Sequence, residues 1–243
     1  WSHSRRHPGG ARGPARSRPQ ARSYRVILTS EAEARAWFAA RGDLNPLALA
    51  RLEKLEAMLR EENLRQNLVS AASLEEVWVR HLGDSAQLLD FVPRETGGPW
   101  LDLGTGGGFP GLVVAACRPE MPIILVESRA QRAAWLRLAL ATLDLRSASV
   151  VSMRLERRPS HSTSVISARA FAPLAQLIAL SARFSTPQTH WLLPKGRGGR
   201  QELGAMPKSV QEMFHVEQSI TDPESVILVG KGVPAPRRKA DLP

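Results

Sequence analysis

"WLDLGTGGGFPG", Trp100 to Gly111, sets five glycines within eight residues directly behind the mostly apolar run "WLDL". A buried strand reads as a short apolar run, and here the glycine loop behind it opens onto a second pattern, "FPGLVVAAC", that is helical. Glycine lets backbone N–H groups approach a bulky ligand with no side chain between, and a helix N-terminus adds further donors. The same rhythm continues outward. "PIILVE" precedes helical "RAQRAAWLRLALATL"; then come "ASVVS", "SVISA", a helix from about Pro173 to Arg183, "HWLLP", "MFHVEQSI" and "SVILVG". Seven such runs, most of them separated by helices, predict an α/β fold: a doubly wound, mostly parallel, seven-stranded Rossmann-like sheet over residues 98–232. No helical pattern separates the last two strands, which are expected to pair antiparallel.

Residues 31–97 read as a helical N-terminal extension. Leu52, Leu55 and Leu59 recur at helical spacing with Met58 beside them, and "SLEEVWVRHLGDSAQLLDFV" carries Leu74, Val77, Trp78, Leu82, Leu88 and Leu89 on a similar stripe. Ser73 and Glu76 have the spacing of a capping box, and "PRETGGP" ends the helical pattern. Residues 1–30 are rich in Gly, Pro and Ser, and their seven arginines precede the first acid, Glu31. They predict a disordered basic arm that supplies seven of the net +10 charges and is either solvated or phosphate-attracting. Residues 233–243 predict a disordered tail.

With 243 residues, 43% of them hydrophobic, the chain can bury one substantial core plus an accessory segment. No apolar run approaches the ~20 residues that cross a bilayer, so a cytoplasmic protein with no membrane partner is expected. The single cysteine, Cys117, lies in "LVVAAC" and reads as packing. Trp135 and Trp191 read the same way. His161, His190 and His215 have no metal-ligand spacing, so no metal is expected, and no dimer signal stands against a monomer.

The glycines do not fit the dinucleotide fingerprint, because Phe109 stands where its third glycine belongs. What remains is Asp102, Gly104, Gly106 and Gly108 at alternate positions, with Glu127 closing the second strand 23 residues after Gly104. A carboxylate there can accept from two ribose hydroxyls. No phosphate-binding G-x-x-x-x-G-K-[ST] occurs. The combination resembles the class I methyltransferases, which implies S-adenosyl-L-methionine as cofactor, with Asp102, Gly104, Gly106, Gly108 and Glu127 around it.

A narrower resemblance follows from "NLVSAASLEEVWVRHLGDSAQLL", "LDLGTGGGFPG", "SARAFAPL" and "LLPKG" in that order. From about residue 43 to 230 the chain resembles the bacterial small-subunit ribosomal RNA guanine-N7 methyltransferases, the glucose-inhibited division protein B family. The resemblance implies cofactor contacts at Gly104, Phe109, Leu155, Glu156 and Arg169. It also implies 16S ribosomal RNA, free or in the small ribosomal subunit, as partner, and places Asn67, Arg80, His81 and Asp84 beside the cleft. These last residues fit an RNA contact or a solvated polar face equally. Lys195, Arg197 and Arg200 form a basic glycine-rich loop, "PKGRGGR", expected to meet RNA phosphate. Arg169 and Lys195 are the candidates to act at the reacting groups. One departure stands out: Ser164 precedes the fourth strand where relatives commonly carry an acid.

The chemistry is consistent with the residues. Guanine N7 offers an in-plane lone pair and no proton, so methylation there is a displacement that needs alignment more than a base. No nucleophile–base pair stands out. Two rival readings remain open: a small-molecule or protein methyltransferase, and a ribosome-associated binding protein that has lost catalysis.

Overall fold

The structure is a computed structural model and describes residues 27–234. The predicted basic arm, up to residue 26, and the tail from 235 lie outside the described residues. Fixed structure begins before residue 31, however. Leu28 is buried and its N–H donates to Ile220 O, and Ser30 caps α1 (Glu31–Ala39) by accepting from Glu33 N.

After α1 come α2 (Ala48–Asn63) and the short α3 (Ala71–Glu75). Leu52, Leu55 and Leu59 are fully buried, as their spacing implies, and truncating any of them to Ala is worth about 2–5 kcal/mol. The cap of α3 is Ser70, not Ser73: Ser70 Oγ accepts from Ser73 N, and Glu76 lies past the helix end. Nor does one regular helix follow. A π-helical turn (Trp78–Gly83), a single turn α4 (Asp84–Ala86) and a 3-10 turn (Gln87–Phe91) succeed each other, and a widened turn of this kind re-aims the side chains it carries.

The sheet contains β1 (Trp100–Leu103), β2 (Ile123–Val126), β3 (Ala148–Val151), β4 (Val165–Ala168), β5 (His190–Lys195), β6 (Phe214–Gln218) and β7 (Val226–Lys231). Their order is β3-β2-β1-β4-β5-β7-β6. Strands β1 to β5 are parallel, while β7 runs antiparallel to both β5 and β6. Helices α5 (Gly111–Cys117) and α6 (Ala130–Thr142) cover one face, together with the N-terminal helices; α7 (Leu174–Ser181) with the short α8 (Gly199–Gly204) and α9 (Lys208–Gln211) cover the other. Helix α8 begins within "PKGRGGR", which the sequence reads as loop, and α9 follows it.

Alternation along the strands explains the double layer. Trp100, Leu125, Val165 and Leu192 enter one core, whereas Leu101, Val126, Ile166 and Trp191 enter the other. Leu52, Leu55 and Leu59 share the first core with Leu112 and Val113 of α5, so the N-terminal helices are packed on the sheet domain. The winding direction changes between β1 and β4, which opens a crevice at the carboxyl ends of these strands.

Candidate functional site

The glycine loop stands at that crevice. Gly104 has φ +63°, and a methyl group there would sit 2.4 Å from Phe171 Cδ2, so only glycine fits. The loop is held from both sides. Glu127 Oε2 accepts from Gly106 N at 3.0 Å and Oε1 from Arg129 N at 2.8 Å, while the Trp135 indole donates to Gly107 O at 3.0 Å. Trp135 is therefore packing, as expected, and a loop anchor as well.

Asp102 does not reach the crevice. It is fully buried beneath the loop, with Oδ1 accepting from Ser167 Oγ at 2.6 Å and Oδ2 from Gly111 N at 3.1 Å. Ser167 in turn accepts from the Trp100 indole. This chain ties β1 to β4 and to the start of α5; Gly111 is required because a methyl group there would strike Leu125 at 2.2 Å and Asp102 at 2.8 Å. Burial pushes the Asp102 carboxyl up to about 6, against the lowering hydrogen bonds of Ser167, Thr105 and Gly111.

Two cavities flank Phe171. The first, about 410 Å³, is lined by Gly104, Glu127, Arg129, Arg132, Leu155 and Glu156 among others. Its far wall is fixed by Arg183, which donates to the carbonyls of Leu155 and Arg158. The second, about 630 Å³, is lined by Asp84, Arg169, Lys195, Glu202, Ser219 and Ser225. Residues 170–173 border both, and Ala170 sits there at φ +51°, a left-handed conformation that a non-glycine residue holds only when its surroundings enforce it.

Above the second cavity the π-helical turn brings His81 onto Phe109, ring centroids 4.7 Å apart and nearly parallel. Arg169 donates to His81 Nδ1 at 2.9 Å, to Arg80 O at 3.0 Å and to Asp84 Oδ2 at 3.2 Å. Asp84 Oδ1 further accepts from Gln87 and Thr221. Burial, with Arg169 and Arg80 adding repulsion, holds the imidazole down to about 3, so His81 is neutral with its proton on Nε2, which meets no acceptor among the described residues.

Of the residues singled out in the sequence, Gly104, Glu127, Leu155 and Glu156 share one cavity, Arg169 and Lys195 the other. Gly106 and Gly108 shape the loop at positive φ, and Phe109 is buried under His81 without lining either space. Arg80 pairs with Asp222, and Arg197 with Glu224. Arg200 is exposed on α8. Ser164 precedes β4 at the opposite edge of the sheet, so the missing acid there is remote from both cavities. Cys117 is buried, its thiol pushed up to about 12 by burial. Phe171, Ala170 and Glu202 were not foreseen; only the position of "AFAP" just past a strand end marked the first two.

A seven-stranded sheet in this order, with a glycine loop behind β1 and an acid at the end of β2, is the class I methyltransferase fold. The profile of the rRNA small subunit methyltransferase G (GidB) family matches residues 48–225. The ribosomal RNA small subunit methyltransferase G of Erythrobacter litoralis is 56% identical over 206 residues, covering 85% of this chain and 98% of that protein. The protein of the same name from Novosphingobium aromaticivorans is 52% identical, covering 85% of this chain and 90% of its own length. The chain belongs to the rRNA small subunit methyltransferase G family.

Proposed function

We infer that the protein transfers a methyl group from S-adenosyl-L-methionine to N7 of a guanine in 16S ribosomal RNA, in the cytoplasm. The observation that carries this reading is the pair of cavities sharing residues 170–173, one of a size and lining for a nucleoside cofactor and the other open to an acceptor base. No helix among the described residues is long and apolar enough to cross a membrane.

The residues fit the cofactor by hydrogen-bond capacity. A carboxylate offers about four lone-pair sites, and Glu127 spends two on Gly106 N and Arg129 N, so two stay available for ribose hydroxyls. Leu155 and Glu156 would flank the adenine. When bound, S-adenosylmethionine supplies an electrophilic methyl group on a cationic sulfur. The protein's part is alignment: Phe171 forms a flat wall between the two spaces, and Arg169, fixed by three acceptors, keeps the rim rigid. Neutral, buried His81 is not placed as a base, and the N7 lone pair needs none.

Incubating the protein with labelled cofactor and small-subunit RNA or particles, then mapping the label, tests this reading. Label at guanine N7, recognisable by base-labile strand scission, is expected. Label on an exocyclic amine, or on protein alone, would overturn it.

A further inference from the structure

Lys195 and Glu202 stand together on the wall of the larger cavity, and their hydrogen bonds are incomplete. Lys195 Nζ donates to Glu202 Oε2 at 2.9 Å and to Ala172 O at 3.3 Å, which leaves one of its three N–H groups. Glu202 Oε2 also accepts from Leu174 N at 2.6 Å, but Oε1 accepts from no described residue. The Lys195 side chain is only 12% exposed, whereas that of Glu202 is 35% exposed and so faces the open cavity. The other pair on this wall, Asp84 and Arg169, is more heavily committed: Arg169 donates to His81, Arg80 and Asp84, and Asp84 also accepts from Gln87 and Thr221. The spare capacity of the Lys195–Glu202 pair is one donor beside one acceptor oxygen with two lone pairs.

Among purines, guanine fills that pattern most completely. Guanine presents O6, an acceptor, next to N1–H and the 2-amino group, two donors, and so fills all three places; adenine, with one amino donor next to the N1 acceptor, sets like against like in the same pose and in the reversed pose fills only two. We propose that Lys195 and Glu202 read the Watson–Crick edge of the acceptor base, Lys195 donating to O6 and Glu202 Oε1 accepting from N1–H and the 2-amino group. This rests on the assignment of the protein as a guanine-N7 methyltransferase and names the source of its base choice. The arrangement leaves N7 uncontacted and available. Methylation at N7 makes the purine cationic and N1–H more acidic, so the bond to the Glu202 carboxylate strengthens as the reaction proceeds. Burial raises the Glu202 pKa, but the Lys195 and Leu174 hydrogen bonds more than offset this and keep it below the ordinary value, hence ionised. Lys195, its charge balanced and turned inward, serves a base better than the phosphate suggested by its sequence context.

The test titrates the full chain, saturated with S-adenosylhomocysteine, with GMP, IMP and AMP by calorimetry. Wild type is expected to hold GMP about tenfold more tightly than AMP, with IMP, which lacks the 2-amino group, between them. Glu202→Gln should bring GMP to the level of AMP while affinity for S-adenosylhomocysteine stays within about twofold. Should that variant melt early because the Leu174 contact is disturbed, Lys195→Met carries the same expectation through O6. Equal GMP and AMP binding in wild type, or a GMP preference that survives both variants, overturns the proposal. Methyl transfer to small-subunit RNA by wild type is followed in parallel: its absence strikes the assigned function, whereas transfer without base preference strikes only the reading of Lys195 and Glu202.

Discussion

The two cavities on either side of Phe171 are built from different materials. The smaller gathers consecutive strand ends, namely the loop after β1, the end of β2 and the turn after β3, and its acid Glu127 is tied to the main chain at Gly106 and Arg129. The larger is made of side chains from distant segments, with Asp84 ion-paired to Arg169 and Lys195 to Glu202, and Ser219 beside them. A site set on a tight glycine loop tolerates almost no added atoms there, while a site of paired side chains can be altered one group at a time. Substitutions on the two sides should therefore differ in kind.

The largest effect is expected at Gly104. Gly104→Ala adds a methyl 2.4 Å from Phe171 at a φ of +63°, combining left-handed strain with overpacking, together about 2–4 kcal/mol. Calorimetry should find S-adenosylmethionine affinity reduced more than a hundredfold; near-normal affinity in a folded variant would dissolve the distinction between the two sides. Glu127→Gln comes next. It keeps the shape but turns an amide N–H₂ toward one of two backbone donors, and about 10- to 100-fold in cofactor affinity should be lost. GMP binding in the other cavity should be unchanged, and a parallel loss there would show that the cavities act as one.

His81 lies against Arg169 of the larger cavity, and it makes a smaller, pH-dependent contribution. Its ordinary value of 6.5 is held down to about 3, chiefly by burial, so the unfolded chain takes up a proton that the folded one refuses. Stability from this group is full above about pH 6.5 and is lost as the pH falls toward 3. Asp102 acts oppositely: raised from 3.8 to about 6, it favours folding below about pH 3.8 and no longer does so above about 6. His81→Phe keeps the stack on Phe109 and removes the proton site. The stability advantage of wild type over this variant, from denaturant melts, should shrink by about 3 kcal/mol between pH 7 and pH 4. An advantage that does not change with pH would mean that His81 is protonated in the folded protein.

The contrast between a site of consecutive strand ends and one of distant side chains also explains what the sequence disclosed. Gly104, Gly106, Gly108 and Glu127 are legible because a strand end, a tight loop and the next strand end keep a fixed spacing in the sequence. Leu155 and Glu156 came only through the family resemblance. Glu202 was invisible: "PKGRGGR" reads as loop, and nothing local says that α8 begins at Gly199 and turns Glu202 back toward Lys195. Asp102 shows the reverse error. Its place before the glycines suggested a ligand contact, but its inward face on β1 gives it Ser167 and Gly111 as partners. Likewise the π-helical turn at Trp78–Gly83 interrupts a stripe whose apolar spacing looked regular, because the contact of His81 with Phe109 is made across the fold.

The smallest effect belongs to the rim. Of the three basic residues in "PKGRGGR", Lys195 is balanced by Glu202 and Arg197 lies 3.1 Å from Glu224 in an exposed pair worth little. Arg200 has no acidic partner among the described residues, so it is the cation free to displace a counterion from RNA. Each such contact contributes about 0.7–0.9 to the slope of log affinity against log salt concentration. Arg200→Ala should therefore flatten that slope by just under one unit in filter-binding between about 50 and 200 mM salt. The double variant Lys195→Met/Glu202→Gln removes a neutral pair and should leave the slope as it was. If the double variant changes the slope and Arg200→Ala does not, the inner pair meets phosphate, and the division between a base-reading interior and a phosphate-facing rim is wrong.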